Sequence, residues 1–373
     1  MSGVKRLALL LGLLAAPAAA FDLARTVAET LPNGLRVLVL EDHTFPVVSV
    51  QMLYAVGARN EENGKTGLAH FLEHMAFRAS ANFPETDVVS RIYAVGGEWH
   101  GYTWIDQTTY FATVPREHWE LLLAIEADRM SRLAIAAEEV EPERGAVLTE
   151  LRSYENDPAS VLYDAVVAAS FVEHPYRNNT IGWVSDVERI GHADLVDFYR
   201  RHYRPANAVL AVVGDVAAAE VLSRARELFA ALPAGDPTPL PRTRESAQRG
   251  VRRVELTGAG RHAHFAIAYR APATSDSDWP AFLLLREVLA GGAGANFNQE
   301  DFGVGVRSGT RLADLSAEMT SWLPPTAQPY VLILAGSIAA DGDPAATEAA
   351  IEERVAALRE RPVGAEELAT ARE

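Results

Sequence analysis

The sequence contains no cysteine. That excludes a disulfide framework, a thiolate metal site and a cysteine nucleophile, so any metal has to be held by histidine and carboxylate groups. It is also short of positive charge. Against 50 Asp and Glu stand 34 Lys and Arg, a formal net charge of −16. A general nucleic-acid binder draws its affinity from clustered Lys and Arg, and an anionic membrane surface asks for the same. Neither class fits this balance. Low-complexity tracts are absent as well. With 49% hydrophobic and 23% charged residues over 373 positions, the composition is that of a folded protein with material for two or three domains.

The longest apolar run sits at the N-terminus, in "MSGVKRLALLLGLLAAPAAAF". Lys5 and Arg6 form a short basic region, Leu7 to Ala16 an apolar stretch, and Ala18-Ala19-Ala20 a small-residue cleavage site. The run is shorter than the roughly 20 residues of a membrane span. It reads as a secretory signal covering residues 1–20, with an exported mature chain, periplasmic or secreted, and no stable membrane anchor after cleavage.

Beyond it the pattern is α+β. Asn33-Gly34 marks a turn, and "LRVLVLED" and "VVSVQMLYAVG" read as strands. "GLAHFLEHMAFRA" changes to helical spacing, with Thr66 placed to cap its start. "EWHGYTWIDQTTYFATVP" returns to strand-like alternation, and "EPERGAVLTELRSYEND" to a helix with Pro142 in its first turn. The segment 233–250, "PAGDPTPLPRTRESAQRG", is the clearest linker. After it the plan restarts, with "GVRRVELT" and "HAHFAIAYRAP" as strands and "DSDWPAFLLLREVLAGG" as a helix. The expected organisation is a signal (1–20), an N-terminal domain (21–232), the linker (233–250) and a weakly repeated second domain (251–373). The sequence stops inside a helical pattern, so the second domain is expected to be incomplete.

The chemistry centres on "HFLEH". His70 and His74 are four apart, so a helix places both imidazoles on one face, with Glu73 beside them. H-x-x-E-H inverts the H-E-x-x-H zinc motif. Two satisfied histidines and a solvated glutamate on a half-buried helix would look the same in isolation. A hydrolytic zinc site takes three protein ligands, and this helix supplies two. Glu143 and Glu150 are seven apart in "EPERGAVLTELRSYEND", on one side of their helix after two turns. Glu150 is the candidate third ligand. Glu143 is the candidate carboxylate that orients an imidazole, although both also read as ordinary surface glutamates.

"GLAHFLEHMAF" followed by "ERGAVLTELRSYENDP" resembles the M16 metallopeptidase family, which includes pitrilysin, insulin-degrading enzyme and mitochondrial processing peptidase. "VGARNEENGKTGLAH", "GGEWHGYTWIDQTTYFATVP" and "EADRM" extend the likeness. The resemblance implies two tandem homologous domains of the LuxS/MPP-like type, each an antiparallel-rich sheet covered by helices, the second truncated. It implies one Zn2+ per chain on His70, His74 and Glu150, with Glu73 as general base and Glu143 in support. It further implies an extended peptide substrate added to the strand around His100, Gly101, Tyr102 and Thr103. His100 stands where the family usually carries Asn. Arg311 keeps part of a substrate-holding segment whose following tyrosine is missing, so a second M16 subunit (a homodimer or heterodimer) or further chain is expected to supply contacts. Silent M16-like subunits that only bind peptide, and proteins in which zinc only stabilises the fold, are the competing classes. The latter needs a fourth protein ligand, for which His100 and Glu143 are the candidates.

Overall fold

The computed structural model describes residues 23–84, 88–258, 262–290, 318–338 and 342–372. The leader pattern and Arg311 lie outside the described residues.

The first domain is built on a six-stranded sheet. Its strands are β1 (Val27–Thr30), β2 (Arg36–Glu41), β3 (Val47–Tyr54), β4 (Glu98–Thr103), β5 (Thr108–Pro115) and β6 (Ala208–Gly214). They lie in the order β1-β2-β6-β3-β5-β4, antiparallel except for the β2–β6 pair. Burial alternates along β3 and β6, as the period of two requires when one face meets the core. Val48, Val50 and Met52 of β3 and Leu210 and Val212 of β6 point into that core. The helix α1 (Leu68–Met75) and, after α2 (Val88–Ala94), α3 (Trp119–Arg132) pack on it, and α4 (Val140–Glu155) lies against α1. Four more helices complete the domain: α5 (Pro158–Ser170), α6 (Val184–Val187), α7 (His192–His202) and α8 (Ala218–Phe229). The start of α5 follows local rules, with Asp157 accepting from the Ser160 amide and Pro158 at the first helical position.

The second domain holds β7 (Ala263–Ala271), α9 (Trp279–Leu289), β8 (Glu318–Trp322), β9 (Tyr330–Ile338), α10 (Pro344–Glu360) and α11 (Ala365–Arg372). Its strands form an antiparallel sheet in the order β7-β9-β8. The strand read into "GVRRVELT" is not part of it. Residues 251–258 carry β-forming residues but no ladder, and Val251, Val254 and Leu256 are exposed. A β-branched run becomes a strand only where a partner edge accepts its hydrogen bonds. Among the described residues, no helix is long and apolar enough to cross a membrane.

Segment 233–250 has neither helix nor strand, in keeping with its prolines, yet it is tied down. The Thr238 amide donates to Asn207 Oδ1 at 2.9 Å, and Thr238 Oγ1 lies 2.8 Å from His202 Nδ1. Glu245 accepts from the amides of Val172, Glu173 and His174 at 2.9 to 3.0 Å. It is a strap laid across the first domain. A mixed cluster joins the domains: Ile105, Phe171 and Tyr176 pack with Tyr330, Val331 and Ile333.

His202, at the strap contact, yields a prediction. Burial pushes its imidazole down from 6.5 to about 4, with nearby Arg201 acting in the same direction. The folded state therefore holds fewer protons than the unfolded one between those values. Stability is complete above pH 6.5 and is lost as pH falls toward 4, by at most about 2 kcal/mol at pH 5. Thermal melts across this range should show a flatter acid limb for His202→Gln than for the unsubstituted protein. Parallel curves would refute the assignment.

Candidate metal centre

The helix α1 is short, and its start is set by two groups. Gly67 caps it with φ +87°, and a Cβ there would meet the Ile181 carbonyl oxygen at 2.4 Å. Only glycine suits both the left-handed backbone and the close approach. The buried carboxylate of Glu61 accepts from the Gly67 amide at 2.8 Å and the Ala69 amide at 2.7 Å. Thr66 is thus not the cap. Its hydroxyl donates to Asp186 Oδ2 at 2.7 Å and accepts from the Trp183 amide at 3.0 Å. A side chain from the preceding turn supplies what the nearest hydroxyl was expected to supply. At the other end, the buried Arg129 donates from Nε to the Ala76 carbonyl at 3.1 Å and lies over the Tyr110 ring at 4.2 Å.

Phe71, Leu72 and Met75 anchor α1 in the core. His70 and Glu73 are buried too, and His74 is half-buried. The imidazoles of His70 and His74 stand 4.7 Å apart between centroids. Glu150 of α4 comes to both: its Oε2 is 3.2 Å from His74 Nε2 and 3.7 Å from His70 Nε2. One ligand atom from each of the three lies within 4.8 Å of the others. Tetrahedral bonds of zinc length separate neighbouring ligand atoms by roughly 3.3 Å, so this donor set has the right chemistry and nearly the right span.

The other groups take different positions. Glu143 Oε1 is 2.8 Å from His74 Nδ1, while its Oε2 accepts from Arg78 Nε at 2.9 Å. With both oxygens engaged, it orients His74 and does not join the ligand cluster. Glu73 Oε2 accepts from the Thr103 hydroxyl at 3.1 Å and lies 4.0 Å from His70 Nε2. A Cβ on Gly101 would come within 2.4 Å of the Phe77 ring and 3.1 Å of Glu73 Oε1. Gly101 therefore lets β4 cross α1 beside Glu73. The pleat turns His100 and Tyr102 to the opposite face, where His100 stacks on Phe111 at 5.2 Å and Tyr102 meets the same ring edge-on. His100 is accordingly not a spare ligand, and a fourth protein ligand is absent among the described residues. The outer edge of β4 pairs with no described strand.

Burial and charge sort the ionisable groups. Burial, helped by the neighbouring His74, drives His70 down to about 4 and keeps it neutral, as a ligand needs. Burial opposes a charged His74 as well, but the carboxylates bonded to its two nitrogens outweigh it and lift it to about 10. His74 and then Arg78 hold Glu143 down at about 2. Burial raises Glu73 to about 7, against the pull of His74 and the Thr103 hydroxyl. Thr66 apart, the sequence reading missed Glu61, Arg78 and Arg129. No periodicity marks them, because each acts on α1 from another segment or from beyond its end.

Glu143→Gln should weaken zinc binding by roughly 10- to 100-fold, since the amide replaces a charged acceptor on His74. Competition with a chromophoric chelator measures this. An unchanged affinity would remove Glu143 from the site.

Residues 36–183 match the profile described as insulinase (peptidase family M16), and residues 189–373 match the peptidase M16 inactive domain. The zinc protease PqqE of Helicobacter pylori is 33% identical over 269 residues, 70% of this chain and 60% of that protein. An uncharacterized zinc protease of Mycobacterium leprae is 33% identical over 280 residues, covering 73% and 61%. The chain thus spans about three fifths of the length of these relatives. The crystal structure of a protease from Helicobacter pylori superposes with a TM-score of 0.83 at 27% identity, over 93% of this chain and 83% of that one. Motif, architecture and both profiles agree, and the chain belongs to peptidase family M16, the insulinase family.

Proposed function

We propose that the chain is a zinc-dependent endopeptidase acting on peptides or unfolded protein segments. One observation carries this reading: a His70, His74 and Glu150 donor set converges next to a buried carboxylate, Glu73, at a sheet edge that pairs with no described strand. The names of the relatives, zinc proteases, support it.

His70, His74 and Glu150 would hold the ion. Zinc bound there supplies Lewis-acid polarisation of the scissile carbonyl and a more acidic attacking water. The protein's own groups do the rest. An extended peptide adds to the outer edge of β4 through main-chain hydrogen bonds, which makes side-chain preference modest. Gly101 brings that edge against Glu73, and the Thr103 hydroxyl holds the Glu73 carboxylate in place. Burial puts Glu73 near pH 7, where one group can take a proton from water and give it to the leaving amine. A C–O bond forms, the C–N bond breaks, and Glu73 ends as it began.

Export of the mature chain is part of this proposal, and the leader pattern of residues 1–20 supports it. Further substrate contacts from a second M16 subunit, or from additional chain, accord with the shorter span relative to its relatives.

The deciding experiment is Glu73→Gln, assayed on a pool of unstructured peptides. Hydrolysis by the unsubstituted chain should stop with a chelator and return with zinc. The variant should keep its zinc and lose at least about 10²-fold in rate. Cleavage that survives the substitution would remove Glu73 as the base. Peptide binding without any cleavage would favour a silent subunit.

A further inference from the structure

The hairpin joining β4 to β5, Trp104-Ile105-Asp106-Gln107, ends in a buried carboxylate that the chemistry above does not use. Asp106 Oδ1 pairs with the buried Arg59 at 2.5 Å. Its Oδ2 accepts from the Tyr176 hydroxyl at 3.0 Å and from the Ala327 amide at 2.6 Å. Ala327 belongs to the second domain, in the loop between β8 and β9. The next residue repeats the connection. The Gln328 amide donates to the Tyr176 hydroxyl at 3.1 Å, and its side chain reaches His174 at 3.1 Å and the Pro241 carbonyl of the strap at 3.3 Å.

Three segments of the molecule thus meet on one side chain. Arg59 comes from the turn leading into α1, whose amides at Ala58 and Arg59 also bind the carbonyls of Trp104 and Ile105. Tyr176 comes from the turn after α5, and Ala327 from the other domain. Apolar contacts close around them, with Trp104 edge-on to Trp322 at 5.4 Å between centroids. The contact with Arg59 is a charge pair without hydrogen-bond geometry, so the Tyr176 hydroxyl and the Ala327 amide are the hydrogen-bond donors on which this buried carboxylate relies, and losing either is costly. The loop 326–328 and the hairpin tip are therefore docked together or released together. Asp106 lies in the turn that follows β4, three residues beyond Thr103, the last residue of that strand.

We infer that Asp106 is a positioning residue for the edge that receives substrate: through it, docking of the second domain sets the placement of β4. The second domain, in this account, contributes to substrate binding without bringing a group to the metal. The inference rests on the peptidase reading.

The test uses the full chain carrying Asp106→Asn, with Tyr176→Phe as the milder change that leaves the Arg59 pair intact and stands in if the first does not fold. Amide hydrogen exchange is read at Ala327 and Gln328, and KM and kcat are read on an unstructured peptide. Both variants should exchange at least about tenfold faster at these amides. KM should rise roughly fivefold, with kcat and zinc content within about twofold of the unsubstituted chain. Unchanged exchange, or faster exchange with unchanged KM, would overturn the inference and leave the peptidase reading standing. A fall in kcat or zinc content at constant KM would also overturn it, by moving Asp106 into the support of the metal. An unsubstituted chain that neither binds nor cleaves peptide would overturn both.

Discussion

Two turns of one helix carry His70 and Glu73 almost out of water and His74 partly so, and the polar groups there have to be met by groups from elsewhere in the chain. That requirement organises the first domain. The helix α1 cannot satisfy its own ends, so Glu61 takes the amides at its start and Arg129 the carbonyl after its last turn. The side chains cannot satisfy one another either. His74 is clamped between Glu143 and Glu150 of α4, and Glu73 is held by Thr103 of β4. A buried ionic group is strongly destabilising once a partner is removed, which ties the position of α4 and β4 to that of α1. The strand that touches Glu73, β4, lies at the edge of the sheet, and its other side pairs with no described strand.

The same environment divides the labour among four carboxylates. Glu143 is driven low by its bonds to His74 and Arg78, and serves as a fixed negative partner. Glu150 is half-exposed and faces both imidazoles. Glu73 is raised by burial into the range where proton transfer near neutrality is efficient. Glu61 is pushed up to about 8 by burial although two amides at the start of α1 donate to it. Four side chains of one kind titrate differently because desolvation and hydrogen bonding differ at each.

The second domain enters through contact. Its sheet packs Tyr330, Val331 and Ile333 against Phe171 and Tyr176, and its β8–β9 loop delivers an amide to Asp106. The strap of residues 233–250 accompanies this interface and bonds to both domains. A segment rich in proline and polar residues reads as a free linker. Its backbone carbonyls and Glu245 nonetheless find donors along the surface it crosses.

The sequence by itself determined the α+β class, the helix bearing HFLEH and the candidate pairing of His70, His74 and Glu150, because these rest on periodicity and on residue types that few other chemistries require. Asp157-Pro158 at the start of α5 was equally legible, being a rule about neighbours. Three readings needed the folded chain. Whether 251–258 is a strand depends on a partner edge. Which group caps α1 depended on Glu61, a residue whose side chain arrives from outside the helix. The side of β4 that His100 presents depended on the register of the β4–β5 hairpin, where a shift of one residue would have exchanged the faces. The pairing of Asp106 with the second domain lay furthest from the sequence, since it joins residues more than two hundred positions apart. Local spacing encodes what one helix or turn can do alone. Which buried charge meets which donor is decided only when distant segments share the same low-dielectric space.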